Sequence, residues 1–225
     1  MDRQTRNYSI SIKREDDKYM DFSLDLDSSL TVIDALDEIR IKMDPTLTYR
    51  HSCHHGSCGT CACIINSKER LACMTFLNEF EDNKITIEPL NSFKKISDLV
   101  VDISSMVNNM KGSTYLRETE VNKDSLKPNG IFTWERFENC IECGSCVSAC
   151  PVKTDFIGPA PLASINREIS KQTDEKAIEK LKDRAFESDG VDACDKHYLC
   201  SKVCPTKVSP GKHINDLRKM KSENQ

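Results

Sequence analysis

Residues 50–63 read RHSCHHGSCGTCAC, with four cysteines, two glycines and three histidines in fourteen positions. Cys53, Cys58 and Cys61 are spaced C-x4-C-x2-C, and Cys73 follows in RLACM with eleven residues between. Such a spacing takes three thiols from one tight loop and a fourth from a returning segment. Gly56 and Gly59 accept backbone dihedrals that other residues resist, and they let N–H groups approach the sulfurs. The flanking segments indicate what carries the loop. Upstream, NYSISIKR (7–14) alternates Tyr8, Ile10 and Ile12, and MDFSLDLD (20–27) alternates Met20, Phe22, Leu24 and Leu26. The polar EDDK between them reads as the turn of a β-hairpin. Thr31 can cap a helix containing Val32, Ile33, Leu36, Ile39 and Arg40, which MDP at 43–45 stops. Downstream, CIINS (63–67) and KITIEP (84–89) read as two more short strands. The order is strand, strand, helix, cysteine loop, strand, strand.

Four thiolates at this spacing suit a [2Fe–2S] cluster of the plant ferredoxin type. N–H donors to the sulfurs would raise its reduction potential by stabilising the added electron. Structural zinc is the competing use of such a loop, but it usually comes as paired cysteine knuckles, of which only half is present. A Rieske centre would need a second Cys-His pair, whereas Cys73 is followed by MTF. His51, His54 and His55 are therefore read as solvated loop residues, and Cys63 as a small buried residue under the cluster.

Two further runs lie near the other end. CIECGSCVSACP places Cys140, Cys143, Cys146 and Cys150 as C-x2-C-x2-C-x3-C followed by Pro151, the bacterial ferredoxin pattern. CDKHYLCSKVCP brings Cys194, Cys200 and Cys204-Pro205 into the same register, with His197 at the second ligand position. In two-cluster ferredoxins the fourth cysteine of each run serves the other cluster. That exchange puts Cys140, Cys143, Cys146 and Cys204 around a [4Fe–4S] cluster and leaves Cys150, Cys194 and Cys200. Three thiolates suit a [3Fe–4S] cluster; ligation of a fourth iron by His197 is the alternative.

Composition agrees with redox chemistry. The 225 residues suffice for two modest domains, and the expected boundary divides residues 1–104 from 105–225. A net charge of −4, from 32 basic and 36 acidic residues, argues against nucleic acid as a partner. MDRQTRNYSI has no apolar signal region, and no stretch approaches the length of a bilayer span. Twelve cysteines without a secretory signal point to metal or redox chemistry rather than a disulfide framework. From about residue 105, SSMVNNMKGSTYLRETEVNKDSLKPNG reads as a partly helical connection. PLASINREIS, TDEKAIEKLKDRAF and SPGKHINDLRKM then have helical periodicity. Lys207, Lys212, His213, Arg218, Lys219 and Lys221 are read as the solvated face of a terminal helix.

The three cysteine runs in this order resemble the iron–sulfur subunit of succinate dehydrogenase and fumarate reductase. LAC (71–73), DLVVD (98–102), FIGPA (156–160) and SPGK (209–212) extend the likeness over most of the chain. The resemblance implies an α+β fold: an N-terminal β-grasp [2Fe–2S] ferredoxin-like domain followed by an α-helical dicluster ferredoxin-like domain. It also implies a circuit. A flavoprotein partner would interconvert succinate and fumarate on FAD. Single electrons would pass between that FAD and a quinone or membrane-anchor subunit, through the [2Fe–2S], [4Fe–4S] and [3Fe–4S] clusters. The subunit would then sit in the cytoplasm, peripheral on the inner face of the cell membrane through its partners. The far end departs from the family. CPVKTDFIGPA is short and lacks the tryptophan and other aromatic residues that usually follow the Cys-Pro, and Asp195 replaces a histidine. Pro151 and His197 are the candidate quinone-side residues, and Trp134 is expected to pack in the helical core. A thiol- or disulfide-handling subunit is the alternative far-end partner.

Overall fold

A computed structural model of the protein describes residues 4–111 and 140–223. It forms two compact units: Met1–Ile103 with Ile141–Ser148, and the remainder, Ser104–Cys140 with Ala149–Gln225. The connecting segment read above falls largely on residues 112–139, and Trp134 with it, outside the described residues.

In the first unit, β1 (Thr5–Lys13) and β2 (Tyr19–Asp27) pair antiparallel as a hairpin, with Ile10 opposite Phe22 and Tyr8 opposite Leu24. Period-two alternation sends Tyr8, Ile10, Ile12, Phe22, Leu24 and Leu26 inward. Met20, at the hairpin's turn end, is instead exposed. Next comes α1 (Val32–Lys42), which starts where the Thr31 N–H donates to Asp34 Oδ2 at 2.8 Å, half of a capping box. Its apolar face of Val32, Ile33, Ala35, Leu36 and Ile39 joins the sheet's inner side chains in one core. Each large aliphatic chain buried there contributes about 1.5–3 kcal/mol relative to exposure.

After the cysteine loop, β3 (Ala62–Ile65) and β5 (Lys84–Glu88) take the places expected for them. Between them lies β4 (Lys68–Leu71), which the sequence reading missed. KERL is charged and carries no alternating pattern, a composition suited to an outermost strand. The real signal is the Asn66-Ser67 pair, both at positive φ (45° and 63°), the two-residue turn that closes β3 onto β4. The sheet order is β2-β1-β5-β3-β4, with β1 and β5 parallel and the other pairs antiparallel. A small ribbon of β6 (Lys94–Ser97) and β7 (Val100–Asp102) completes the unit. Its turn holds Asp98, 3% exposed, which accepts from Arg14 Nε at 3.0 Å and from the Glu15 and Thr48 N–H groups at 2.9 and 2.8 Å.

In the second unit, α2 (Ser104–Met110), α4 (Pro159–Lys171), α5 (Glu175–Phe186), α6 (Leu199–Lys202) and α7 (Pro210–Glu223) are helical, α3 (Ser145–Ser148) being a single turn of the first unit. Pro159 and Pro210 sit at the first helical position, where a missing N–H costs nothing. Leu162, Ile165, Leu181, Val191, Ile214 and Leu217 form the core. The basic face expected on the last helix needs correcting. His213 is 1% exposed and its Nδ1 accepts a 2.9 Å hydrogen bond from Asn166 Nδ2, joining α7 to α4. Arg218 is likewise half-buried and turned inward, and half-buried Lys221 pairs with Asp192, while Lys207, Lys212 and Lys219 are exposed.

Candidate metal centres

None of the twelve cysteines forms a disulfide. Among the described residues, no three or more His, Cys, Asp or Glu side chains close tightly enough to hold a single ion, so sites must be judged by how the sulfurs are grouped.

In the first loop, His54, Gly56 and Gly59 adopt positive φ (58°, 76° and 72°), which turns backbone N–H groups inward. Cys53 Sγ accepts from the Ser57 N–H at 3.2 Å and the Cys58 N–H at 3.3 Å. Cys58 Sγ lies 3.2 Å from Thr60 Oγ1. Cys73 arrives by the returning segment. The Ala72 N–H donates to the Cys61 carbonyl at 3.1 Å, and the buried Thr75 hydroxyl donates to the Leu71 carbonyl at 3.0 Å. The Val32 N–H, at the start of α1, donates to the Thr75 carbonyl at 2.8 Å. These bonds set Cys61 Sγ and Cys73 Sγ 3.3 Å apart. Two thiolates on one tetrahedral metal with 2.3 Å bonds would stand about 3.8 Å apart. The Cys61 and Cys73 sulfurs thus stand within about half an ångström of the separation of two ligands on one metal.

Electrostatics within the loop are uneven. N–H donors, led by that of His55, hold the Cys53 thiol down to about 6. Burial pushes the Cys61 thiol up; the Cys73 N–H opposes this, and the Cys73 thiol adds to it. Cys63 is 3% exposed and its thiol is pushed up by burial too, as suits a packing residue. The three histidines are exposed: His51 Nδ1 meets His54 Nε2 at 2.9 Å, and His55 bonds the Cys53 carbonyl through Nδ1.

Cys143 and Cys146 lie in the first unit, in the Ile141–Ser148 segment, where Cys143 Sγ is 3.4 Å from Ser145 Oγ. Cys140 and Cys204 belong to the second unit. Cys204 Sγ accepts the Val208 N–H at 3.3 Å.

Cys150, Cys194 and Cys200 meet at one narrow cleft, walled by Pro151, Phe156, His197, Tyr198 and Ile214. Burial raises the Cys150 and Cys200 thiols, and the charge of Cys194 raises both further. The expectation that the stretch after Cys150 brings no aromatic ring needs correcting, since half-buried Phe156 supplies one. Pro151 and His197 are exposed, and His197 Nε2 stands 4.0 Å from Asp195 Oδ2. Sequence reasoning missed the role of Arg218, whose Nη2 holds the backbone of the Cys194 loop.

Residues 4–108 match the model of the 2Fe-2S iron-sulfur cluster binding domain, and residues 136–208 match that of the 4Fe-4S dicluster domain. The fumarate reductase iron-sulfur subunit of Wolinella succinogenes is 33% identical over 211 residues, covering 89% of this chain and 88% of that one. The mitochondrial succinate dehydrogenase [ubiquinone] iron-sulfur subunit 1 of Oryza sativa is 31% identical over 220 residues, covering 90% and 75%. Among solved structures, a chain of the Mycobacterium smegmatis Sdh1 complex in the apo form superposes with a TM-score of 0.86 at 24% identity, covering 99% of this chain and 98% of that one. Among the described residues, no helix is long and apolar enough to cross a membrane.

Proposed function

This chain belongs to the family of fumarate reductase and succinate dehydrogenase iron–sulfur subunits, and on that premise we propose that it relays electrons between the FAD of a flavoprotein subunit and a quinone or membrane-side subunit. The reading is supported by the first loop, where the Ser57 and Cys58 N–H groups donate to Cys53 Sγ, the Cys61 and Cys73 sulfurs lie 3.3 Å apart, and three residues adopt positive φ. In this proposal those four hold a [2Fe–2S] cluster. Cys140, Cys143, Cys146 and Cys204 hold a [4Fe–4S] cluster, and Cys150, Cys194 and Cys200 a [3Fe–4S] cluster. When bound, such clusters take up and release one electron at a time, which connects a two-electron flavin to a distant acceptor.

The protein's own residues supply the setting. Backbone N–H groups donate to Cys53 Sγ and Cys204 Sγ, which favours the reduced state of a centre held there. Burial of Cys61, Cys73 and Cys200 keeps water from their sulfurs. Electrons would exit at the cleft bearing Pro151 and His197, on a subunit peripheral to the membrane through its partners.

Anaerobically purified complex provides the test. About nine irons per chain are expected from clusters of two, four and three irons, with distinct paramagnetic signals from the three centres. Zinc in place of iron, or one signal alone, would overturn the reading. A different far-end partner, one handling thiols or disulfides, is favoured by the absence of tryptophan from the stretch CPVKTDFIGPA that follows Ala149. Succinate oxidation with a dye but with no quinone would decide for it.

A further inference from the structure

The Ile141–Ser148 segment carries Cys143 and Cys146, yet it packs with the N-terminal unit. Its seat is specific. A methyl group on Gly59 would lie 2.8 Å from Cys143 Cβ and 2.8 Å from the Ile141 carbonyl oxygen, so no side chain fits between the first cysteine loop and this turn. On the other side, a Cβ on Gly144 would come within 3.1 Å of the Phe93 ring. The turn's end is tied down by Ser148, which is 2% exposed. Its hydroxyl donates to Glu69 Oε1 on β4 at 2.9 Å and accepts the Asn91 N–H at 2.9 Å.

We infer that the first cysteine loop and β4 form the seat that sets the Cys143–Cys146 turn, with Gly59 and Ser148 as its positioning residues. The inference rests on the cluster assignment above and deepens it, because the loop that holds the first cluster also places two ligands of the second. Gly59 then meets two separate demands. Its φ of 72° shapes its own loop, while its bare Cα lets Cys143 approach. Ser148 meets only the second kind, since it lies far along the sequence from the first loop and touches none of that loop's cysteines through the bonds above. Close approach of the two segments would also bring centres held on them near each other, which would give the seat a magnetic signature.

The test uses the full chain in its anaerobically purified complex, with Gly59→Ala, Ser148→Ala and Glu69→Gln variants. In Ser148→Ala the [2Fe–2S] signal should persist at wild-type intensity. The microwave power that half-saturates it in the fully reduced state should change several-fold, and the [4Fe–4S] signal should broaden or vanish. Glu69→Gln keeps an oxygen that accepts from Ser148, and it should relax like the wild type. Gly59→Ala should disturb the [4Fe–4S] signal along with its own loop. Unchanged saturation and an unchanged [4Fe–4S] signal in Ser148→Ala would overturn the inference. So would a Gly59→Ala protein that loses only the [2Fe–2S] signal. If the wild type shows neither signal, the cluster assignment itself fails, a result distinguishable from insensitive variants of a wild type that shows both.

Discussion

Arg218 Nη2 donates to the Cys194 carbonyl oxygen at 2.5 Å, and the same nitrogen reaches the Val191 carbonyl at 2.6 Å. A side chain on the last helix thereby holds the backbone of a cysteine loop more than twenty residues earlier, at the cleft where Cys150, Cys194 and Cys200 meet. The guanidinium suits this task because one planar head can donate to two carbonyls at once.

Arg218→Met should therefore loosen that loop. Hydrogen bonds from a charged donor contribute about 1.5–3 kcal/mol, and the loss should appear as a lower unfolding midpoint of the complete chain. Arg218→Lys should recover part of it, since an ammonium can reach a carbonyl without spanning both. Equal midpoints for the Arg218→Met and wild-type chains, compared by urea titration under anaerobic conditions, would count against the clamp.

Thiol reactivity in cluster-free protein should follow the loop's uneven electrostatics. Cys53, with a thiol held down to about 6, is mostly thiolate at neutral pH, while burial keeps Cys61 and Cys63 protonated. The thiolate is the nucleophile, so alkylation of Cys53 should be fastest and its rate should climb through an inflection near pH 6. The rate falls as pH drops below that value because the thiol regains its proton. Mass spectrometry of the labelled peptides reads the order directly; uniform labelling of the three would contradict it.

Removing one sulfur should remove one centre. Cys200→Ala is expected to abolish the third paramagnetic signal and lower the iron content by about three per chain, leaving the [2Fe–2S] signal intact. Its sulfur shares a cleft with Cys150 and Cys194, whereas the first loop is built from other segments. Loss of all three signals from this single change would mean that the sulfurs are sorted differently. Retention of the third signal would point to a substitute ligand such as His197.

Helix α1 also bears on the first centre. Thr31→Ala deletes one arm of the capping box, in a segment whose neighbour Val32 bonds the Thr75 carbonyl behind Cys73. A stability loss of about 1 kcal/mol is expected, measured by chemical denaturation. The paramagnetic signal of the first centre should survive, because the Cys73 segment keeps its bond from Ala72 to Cys61.

Much of the first unit was legible because its signals are local. The alternation of Tyr8, Ile10 and Ile12 and the Thr31 cap each lie within a few residues of what they determine. Strand β4 was missed because KERL, on the outside of the sheet, has no apolar face to print a pattern on the sequence. His213 and Arg218 were misplaced for a related reason. A basic residue on an amphipathic helix looks solvated until its partner, Asn166 or the Cys194 carbonyl, arrives from another element.

Cysteine spacing by itself determined which chemistry the chain is suited to, since metal–sulfide cores demand thiolates at fixed short intervals and those intervals are written along the backbone. Only the tertiary structure decided who holds the cysteines in place. Gly59 against Cys143, Ser148 on Glu69 and Arg218 beneath Cys194 join segments far apart in the sequence. Such contacts depend on how a folded chain fills space, and no local periodicity records them.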